Sequence, residues 1–530
     1  MYIICKLLYI AIFSLLSAAP PYFSLYFHNV LQFSSDQIGF ILAIAPFIQS
    51  IACPIWSYIV DKHSALHGPI MAITSLLGGS GIMSIMVIGH SVSSEEVIPQ
   101  TFIGLLSSLQ LSKSMSFTLT SCFTLAFAFF TLPNISLVDS AVMKILGPNK
   151  ILYGEQRLWG SISAGLTILI VGQLLSFTNN FDVLFYVFGV GTIFFMIFSC
   201  YVNVNQYYMS SIPESSLRES SLLEAAPNHH TLHHSNALAR DSSEKPLLGG
   251  NNSHMLPANT YNSISSDVNN GHQYVELFKS SSIASSGHNT IREEADNTLD
   301  ALGYPDLGLS ISRIASVDPS IVDGLKNIHT EGLPTAKNAI RSIRVLTFLT
   351  TALFFGLVLS IIVNFLFLFL SQDLHMPASW IGWTGLVTGI TELLSFCFSK
   401  QLTEKFGVTK MIFIAHLATI IRCLAYTILK PDSYITNVCA LSLQAFHGIG
   451  FGIFWATAVN EVDGFFPPEQ RSVAQGILGA LHFGLGAGLG ALVGGYMYEY
   501  LGPVYMFQIA AGMAVLNLAV FYIGRLDKFK

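Results

Sequence analysis

Apolar runs long enough to cross a bilayer recur along the chain, each ended by a short polar, glycine-bearing or proline-bearing stretch. A membrane-spanning helix needs roughly 20 mostly apolar residues, because no backbone amide can go unpaired in lipid. Twelve runs qualify, centred near Leu16, Ser50, Ile82, Phe127, Ile168 and Tyr186 or slightly beyond, then near Ser360, Phe396, Ile420, Phe446, Gly484 and Met513. Between Asn205 and about Ala339 the pattern lapses, leaving six runs on either side. It predicts an all-α membrane protein of twelve transmembrane helices in two six-helix halves, 1–204 and 340–530, joined by a long disordered insert, 205–339.

The insert reads "PESSLRESSLLEAAPNHHTLHHSNALARDSSEKPLLGGNNSH" and onward, rich in Ser, Asn and His. Such a segment buries too little apolar surface to offset its chain entropy. Its His229, His230, His233 and His234 have metal-ligand chemistry but no acid or cysteine beside them, so they read as a solvated tract and no metal is expected. "SEKPLL" resembles a dileucine sorting signal without the usual acid. Regulatory or sorting proteins are the partners such a Ser-rich linker would take.

Composition agrees with the pattern: of 530 residues, 52% are hydrophobic and only 11% charged, and the mean hydropathy is +0.56. That is too little polar surface for an ordinary soluble protein. The net charge of -6 says less than its placement. With the N-terminus taken as cytoplasmic, the inner loops and tail carry Lys62, Lys144, Lys150, Arg157, Lys400, Lys405, Lys410, Arg471, Arg525, Lys528 and Lys530, against Lys430 and the edge residue Lys113 outside. That bias places both termini in the cytosol, in a plasma membrane or an endomembrane such as the vacuole. The seven cysteines are scattered through the apolar runs without ligand spacing and read as small buried hydrophobes. The opening "KLLYIAIFSLLSAAPP" has the make-up of a cleaved signal peptide. It continues into apolar "YFSLYF" without a polar break, which favours a retained first span.

The halves look like copies. "QIGF" precedes "IVDKH" in the first and "WIGW" precedes "LTEKF" in the second, with 22 residues from Gly39 to Asp61 and from Gly382 to Glu404. "GEQRLWG" (Gly154–Gly160) has its counterpart in "PEQRSVAQG" (Pro468–Gly476). Matches in one order at corresponding boundaries indicate a parallel repeat, with a solute site between the halves near the midplane.

These motifs resemble the major facilitator superfamily. Its acid-base loop motif is similar to Asp61 and Lys62, with Ser57 and Ser64 where glycines are usual, and to Glu404 and Lys405, followed by Gly407. The resemblance gives those four residues a conformational gating role. "PYFSLYFHNVLQFSSDQIGFILA" and "YGEQRLWGS" are similar to the lactose-permease-like and phenylpropionate-permease-like carriers. "LQAFHGIGFGIFWATAV", "ITELLSFCFS" and "QGILGALHFGLGAGLGALVGG" resemble the branch named after major facilitator superfamily domain-containing protein six. The likeness covers both halves, omits the insert, and implies no substrate.

Charged residues inside the spans carry the candidate chemistry. Asp139, at the end of the fourth, and Arg157, at the start of the fifth, are joined by the short turn "ILGPNK", which brings them to similar depth. The bland reading has Arg157 reaching to lipid headgroups. The resemblance to the lactose permease, whose sugar-contacting acid and arginine have the same spacing, implies a binding role for Asp139 and Arg157. Trp159 would serve as an interfacial anchor or as a stacking surface for a solute ring.

Glu392 and Arg422 lie mid-span, where a charge costs roughly 2.5 to 3.5 kcal/mol and normally faces the bundle interior. Both relatives carry a glutamate and an arginine that fit these positions, which implies proton coupling. His447 is the third candidate. Glycines at Gly486, Gly490 and Gly494, with Gly484 and Gly488 beside them, would let helices approach closely.

No "GxxxxGK[ST]" loop and no Ser-His-Asp or metal constellation occurs, so neither an ATP-driven pump nor an enzyme is expected. The expected function is secondary active transport of a small polar or charged solute, by proton symport and alternating access. A proton gradient is its energy source, and it uses no cofactor and no nucleic acid. The alternative is a non-transporting receptor or sensor that keeps the carrier fold.

Overall fold

The computed structural model describes residues 2–93, 112–202, 342–466 and 471–526. The insert's histidines, its dileucine-like stretch and most of "PEQR" lie outside the described residues. Among the described residues, twelve spans form where apolar runs predict them. In the first half these are span one (Ile3–Asn29), two (Ser35–Lys62), three (His67–Val92), four (Lys113–Leu146), five (Tyr153–Thr178) and six (Asp182–Cys200). The second half has span seven (Ile343–Asp373), eight (Ala378–Phe406), nine (Val408–Tyr426), ten (Tyr434–Asp463), eleven (Ala474–Leu501) and twelve (Pro503–Ile523). In span one, Leu8, Ile12 and Leu15 are fully buried in the core.

Local chemistry sets the boundaries. Ser34 and Gln37 form a reciprocal capping box at the start of span two. Asn179 ends span five with φ 51°. Gly502, at φ 86°, separates span eleven from Pro503, which opens span twelve. Three spans are interrupted. Span one changes pitch at Pro20–Tyr22, span four breaks after Phe130 and resumes at Asn134, and span ten breaks between Ser442 and Gln444. In span eleven, Ala480–Gly486 winds as a wide π turn, and the His482 carbonyl lies 2.3 Å from where a Cβ on Gly356 would sit.

The halves touch through small residues. A Cβ on Gly39 would lie 2.5 Å from the Ala491 carbonyl, and one on Gly172 would lie 2.6 Å from the Gly382 Cα. Spans two and eleven, and spans five and eight, therefore approach backbone to backbone near the ends where spans five and eleven finish. Hydrogen bonds reinforce this closed end. The Glu499 carboxylate accepts from the Ser35 amide at 2.6 Å, Gln372 donates to Asn29 at 3.0 Å, and Gln173 donates to the Ser379 carbonyl at 3.1 Å. The eleventh-span glycines divide the labour: Gly490 meets the Leu357 carbonyl of span seven, and Gly488 meets the Phe47 ring of span two.

Gly382→Leu is expected to keep this end from closing, because overpacking a backbone contact displaces whole helices. Thr388→Cys in that background should label faster with an impermeant maleimide added from the closed side. Unchanged labelling would mean that this contact does not gate access.

Candidate functional site: a polar wall in one half and a charged cluster in the other

Three spans of the second half converge on a pocket. Thr388 and Glu392 lie four residues apart on span eight, Arg422 and Tyr426 four apart on span nine, and Gln444 and His447 three apart on span ten. Each pair thus shares a helix face. Arg422 is 1% exposed. Its Nη1 lies 2.7 Å from His447 Nδ1, its Nη2 donates to Gln444 Oε1 at 3.0 Å, and its Nε reaches the Tyr426 hydroxyl at 3.4 Å. Gln444 Nε2 donates to the same hydroxyl at 2.6 Å. A guanidinium only donates, so His447 Nδ1 is the accepting partner in this hydrogen bond.

Arg422, Gln444 and His447 line a pocket between the halves with Thr384, Gly385 and Thr388. Val363, Leu366 and Phe367 of span seven add apolar surface, and Pro21 and Ile168 come from the first half. The break in span one places Pro21 there, and Tyr22 donates to the Ile168 carbonyl at 2.9 Å, tying spans one and five together.

Glu392 is 1% exposed, one turn along span eight from pocket-lining Thr388. A Cβ on Gly448 would lie 2.5 Å from its backbone nitrogen, so span ten packs tightly against it beside His447. The hydrogen bonds described above turn the Arg422 guanidinium toward span ten. Glu461 does not join this group. Its Oε1 accepts from Arg344 at 2.9 Å and from Arg525 at 2.7 Å, clamping spans seven and ten to the residues after span twelve.

In the first half, Asp139 and Arg157 do pair. Asp139 Oδ1 accepts from Arg157 Nη1 at 2.6 Å, from the Tyr9 hydroxyl at 2.6 Å and from the Tyr153 hydroxyl at 2.8 Å. The guanidinium carbon lies 5.7 to 5.9 Å from the ring centres of Tyr9, Phe13 and Tyr153. Arg157 is 3% exposed, so it turns inward, not to headgroups. Gly160 permits this, since a Cβ there would lie 2.7 Å from the Phe13 ring. The pair does not line the pocket described above. Trp159, two residues on, projects from another helix face, is 41% exposed and has Lys6 Nζ 5.7 Å over its ring.

Arg157→Lys is expected to weaken solute binding if the pair engages solute, because an ammonium cannot reproduce the planar fork. Wild-type affinity with lowered thermal stability would assign the cluster to holding spans one, four and five together.

Of the gating residues, Asp61 accepts from Lys144 at 2.8 Å, tying span two to span four. Lys62, Glu404 and Lys405 are exposed. Sequence reasoning missed Tyr9, Tyr153, Tyr426 and Gln444.

Among the described residues, twelve spans in two halves with a pocket between them have the architecture of the major facilitator fold. Residues 2–509 match the family model described as "MFS_1 like family", and the chain belongs to that family. The fold resembles nucleoside transporter NupG, with a TM-score of 0.62 at 14% identity, covering 99% of this chain and 100% of that one. It also resembles the xylose transporter XylE from E. coli, with a TM-score of 0.51 at 13% identity and 99% of each chain covered. Among curated relatives, the putative nucleoside transporter YegT of Escherichia coli (strain K12) is 27% identical over 118 residues, 22% of this chain and 28% of that protein. The maltose permease of Geobacillus stearothermophilus is 30% identical over 166 residues, 31% of this chain and 40% of that one. The matched stretches span less than half of either relative.

Proposed function

We propose that this transporter moves a small polar or charged solute by alternating access, coupled to proton symport, and needs no bound cofactor. The observation that carries the reading is the pocket between the halves, whose wall holds a buried arginine 2.7 Å from a histidine ring nitrogen. Protonating His447 would set two cations donor to donor at 2.7 Å. Arg422 would then have to leave the ring, which links a proton to the group that meets the solute. Glu392, packed beside His447, is the second proton site of the proposal. Relatives named for nucleosides and maltose support a polar solute.

The lactose-permease-like and phenylpropionate-permease-like motifs support the proton coupling. Asp139 and Arg157 belong to the proposal as a second solute contact, reached when their tyrosine-bound cluster opens, and Trp159 flanks it. Asp61, Lys62, Glu404 and Lys405 act as the gate at the end bearing the termini, which the charge bias assigns to the cytosol. Purified protein in liposomes, offered a labelled metabolite library with and without an imposed pH gradient, tests the reading. Accumulation that requires the gradient supports it. Equilibration indifferent to pH would leave a uniporter.

A further inference from the structure

We propose that Gln444 is a positioning residue for solute recognition, the brace that fixes the direction in which Arg422 faces the pocket. It opens the longer piece of broken span ten and is 1% exposed. Both ends of its amide are used, with Oε1 accepting from Arg422 Nη2 at 3.0 Å and Nε2 donating to the Tyr426 hydroxyl at 2.6 Å. Thr388 Oγ1 of span eight stands 3.5 Å from the same Oε1. One side chain thus ties spans eight, nine and ten together at the pocket wall.

The chemistry selects an amide. The position needs an acceptor for a guanidinium and a donor for a phenol oxygen, and a primary amide offers the two on separate atoms about 2.2 Å apart on one rigid, neutral plane. A carboxylate would accept but could not donate, and would place a full charge against Arg422. An apolar side chain would leave a buried guanidinium prong without its acceptor. Gln444 and His447 hold the two Nη groups separately. When His447 lets go, Gln444 still grips the other prong, so Arg422 turns about a fixed point and does not swing free.

The solute part of this inference rests on the transport reading, while the placement of Arg422 does not, and the test separates them. In wild type, Gln444→Met and Gln444→Glu, Arg422 is modified with phenylglyoxal, and the rate at its peptide is read by mass spectrometry. Thermal unfolding and monodispersity are checked on the same samples. Gln444→Met should raise the Arg422 rate several-fold, because the prong is released, and Gln444→Glu should lower it. In liposomes, Gln444→Met should raise KM about tenfold with little change in maximal rate, the signature of lost uniform binding. A folded Gln444→Met with the wild-type modification rate overturns the brace. A raised rate with unchanged KM keeps the brace but removes its role in recognition. If wild type accumulates no solute, the transport reading falls, and the modification rates still decide how Arg422 is held.

Discussion

Glu392→Gln is expected to abolish accumulation of solute against its gradient when a pH gradient is imposed, while exchange of labelled for unlabelled solute survives. Symport needs a group whose protonation changes during the cycle. A buried carboxyl meets that need, since nearby positive charge favours its ionised form and desolvation favours its neutral one. Glu392 is placed for this: it is buried, one turn from pocket-lining Thr388, and pressed against span ten beside His447. Glutamine nearly keeps the shape and removes the titration. Loss of the charge can itself destabilise a dry cluster by about 3 to 5 kcal/mol, so unfolding must be measured on the same preparation. A well-folded Glu392→Gln that still concentrates its solute would pass the coupling role to His447 or Asp139.

The spans were legible because lipid imposes one rule on backbone amides, and apolar length reports it directly. The Asp139–Arg157 pair was legible for a local reason: the turn between them is too short to put them anywhere but side by side. Their tyrosines were not, since Tyr9 lies 130 residues from Asp139, and nothing near Tyr9 in the chain marks its partner. Trp159 is close to the pair in sequence and presents a different side of span five. Two residues along a helix turn a side chain most of the way to the opposite face, and that signal was available.

Arg422 shows a different shortfall. The apolar runs place it and Glu392 mid-span, but a position along a span carries no information about which neighbouring helix a long side chain turns to. Gln444 left one trace, since a position three residues before His447 shares its face. A glutamine at the break in span ten has no composition that singles it out. The gating motif was legible as a motif, yet its two copies differ in the structure: Asp61 is held by Lys144, whereas Glu404 is exposed. A sequence repeat equates positions, and the contacts around each copy are free to diverge.

Arg422→Lys is the substitution expected to weaken solute binding most. The guanidinium serves His447 and Gln444 at once, through Nη groups fixed in one plane. A lysine ammonium is a compact point charge on a flexible stem and cannot reproduce that fork. The variant keeps the formal charge, so long-range electrostatics changes little and the loss reports geometry. Hydrogen bonds to charged groups contribute about 1.5 to 3 kcal/mol each. Losing the equivalent of one or two of them predicts a roughly 100-fold weaker affinity, on the scale of 1.4 kcal/mol per factor of ten. Equilibrium binding of the solute found by library uptake, measured in detergent, separates affinity from turnover. Combined with Gln444→Met, the effect should be less than additive, because both changes disturb the same fork. Full additivity would mean that Gln444 acts on the solute independently of Arg422. Wild-type affinity in a folded Arg422→Lys would make Arg422 a structural member of the second half and move the recognition of solute to the Asp139–Arg157 cluster.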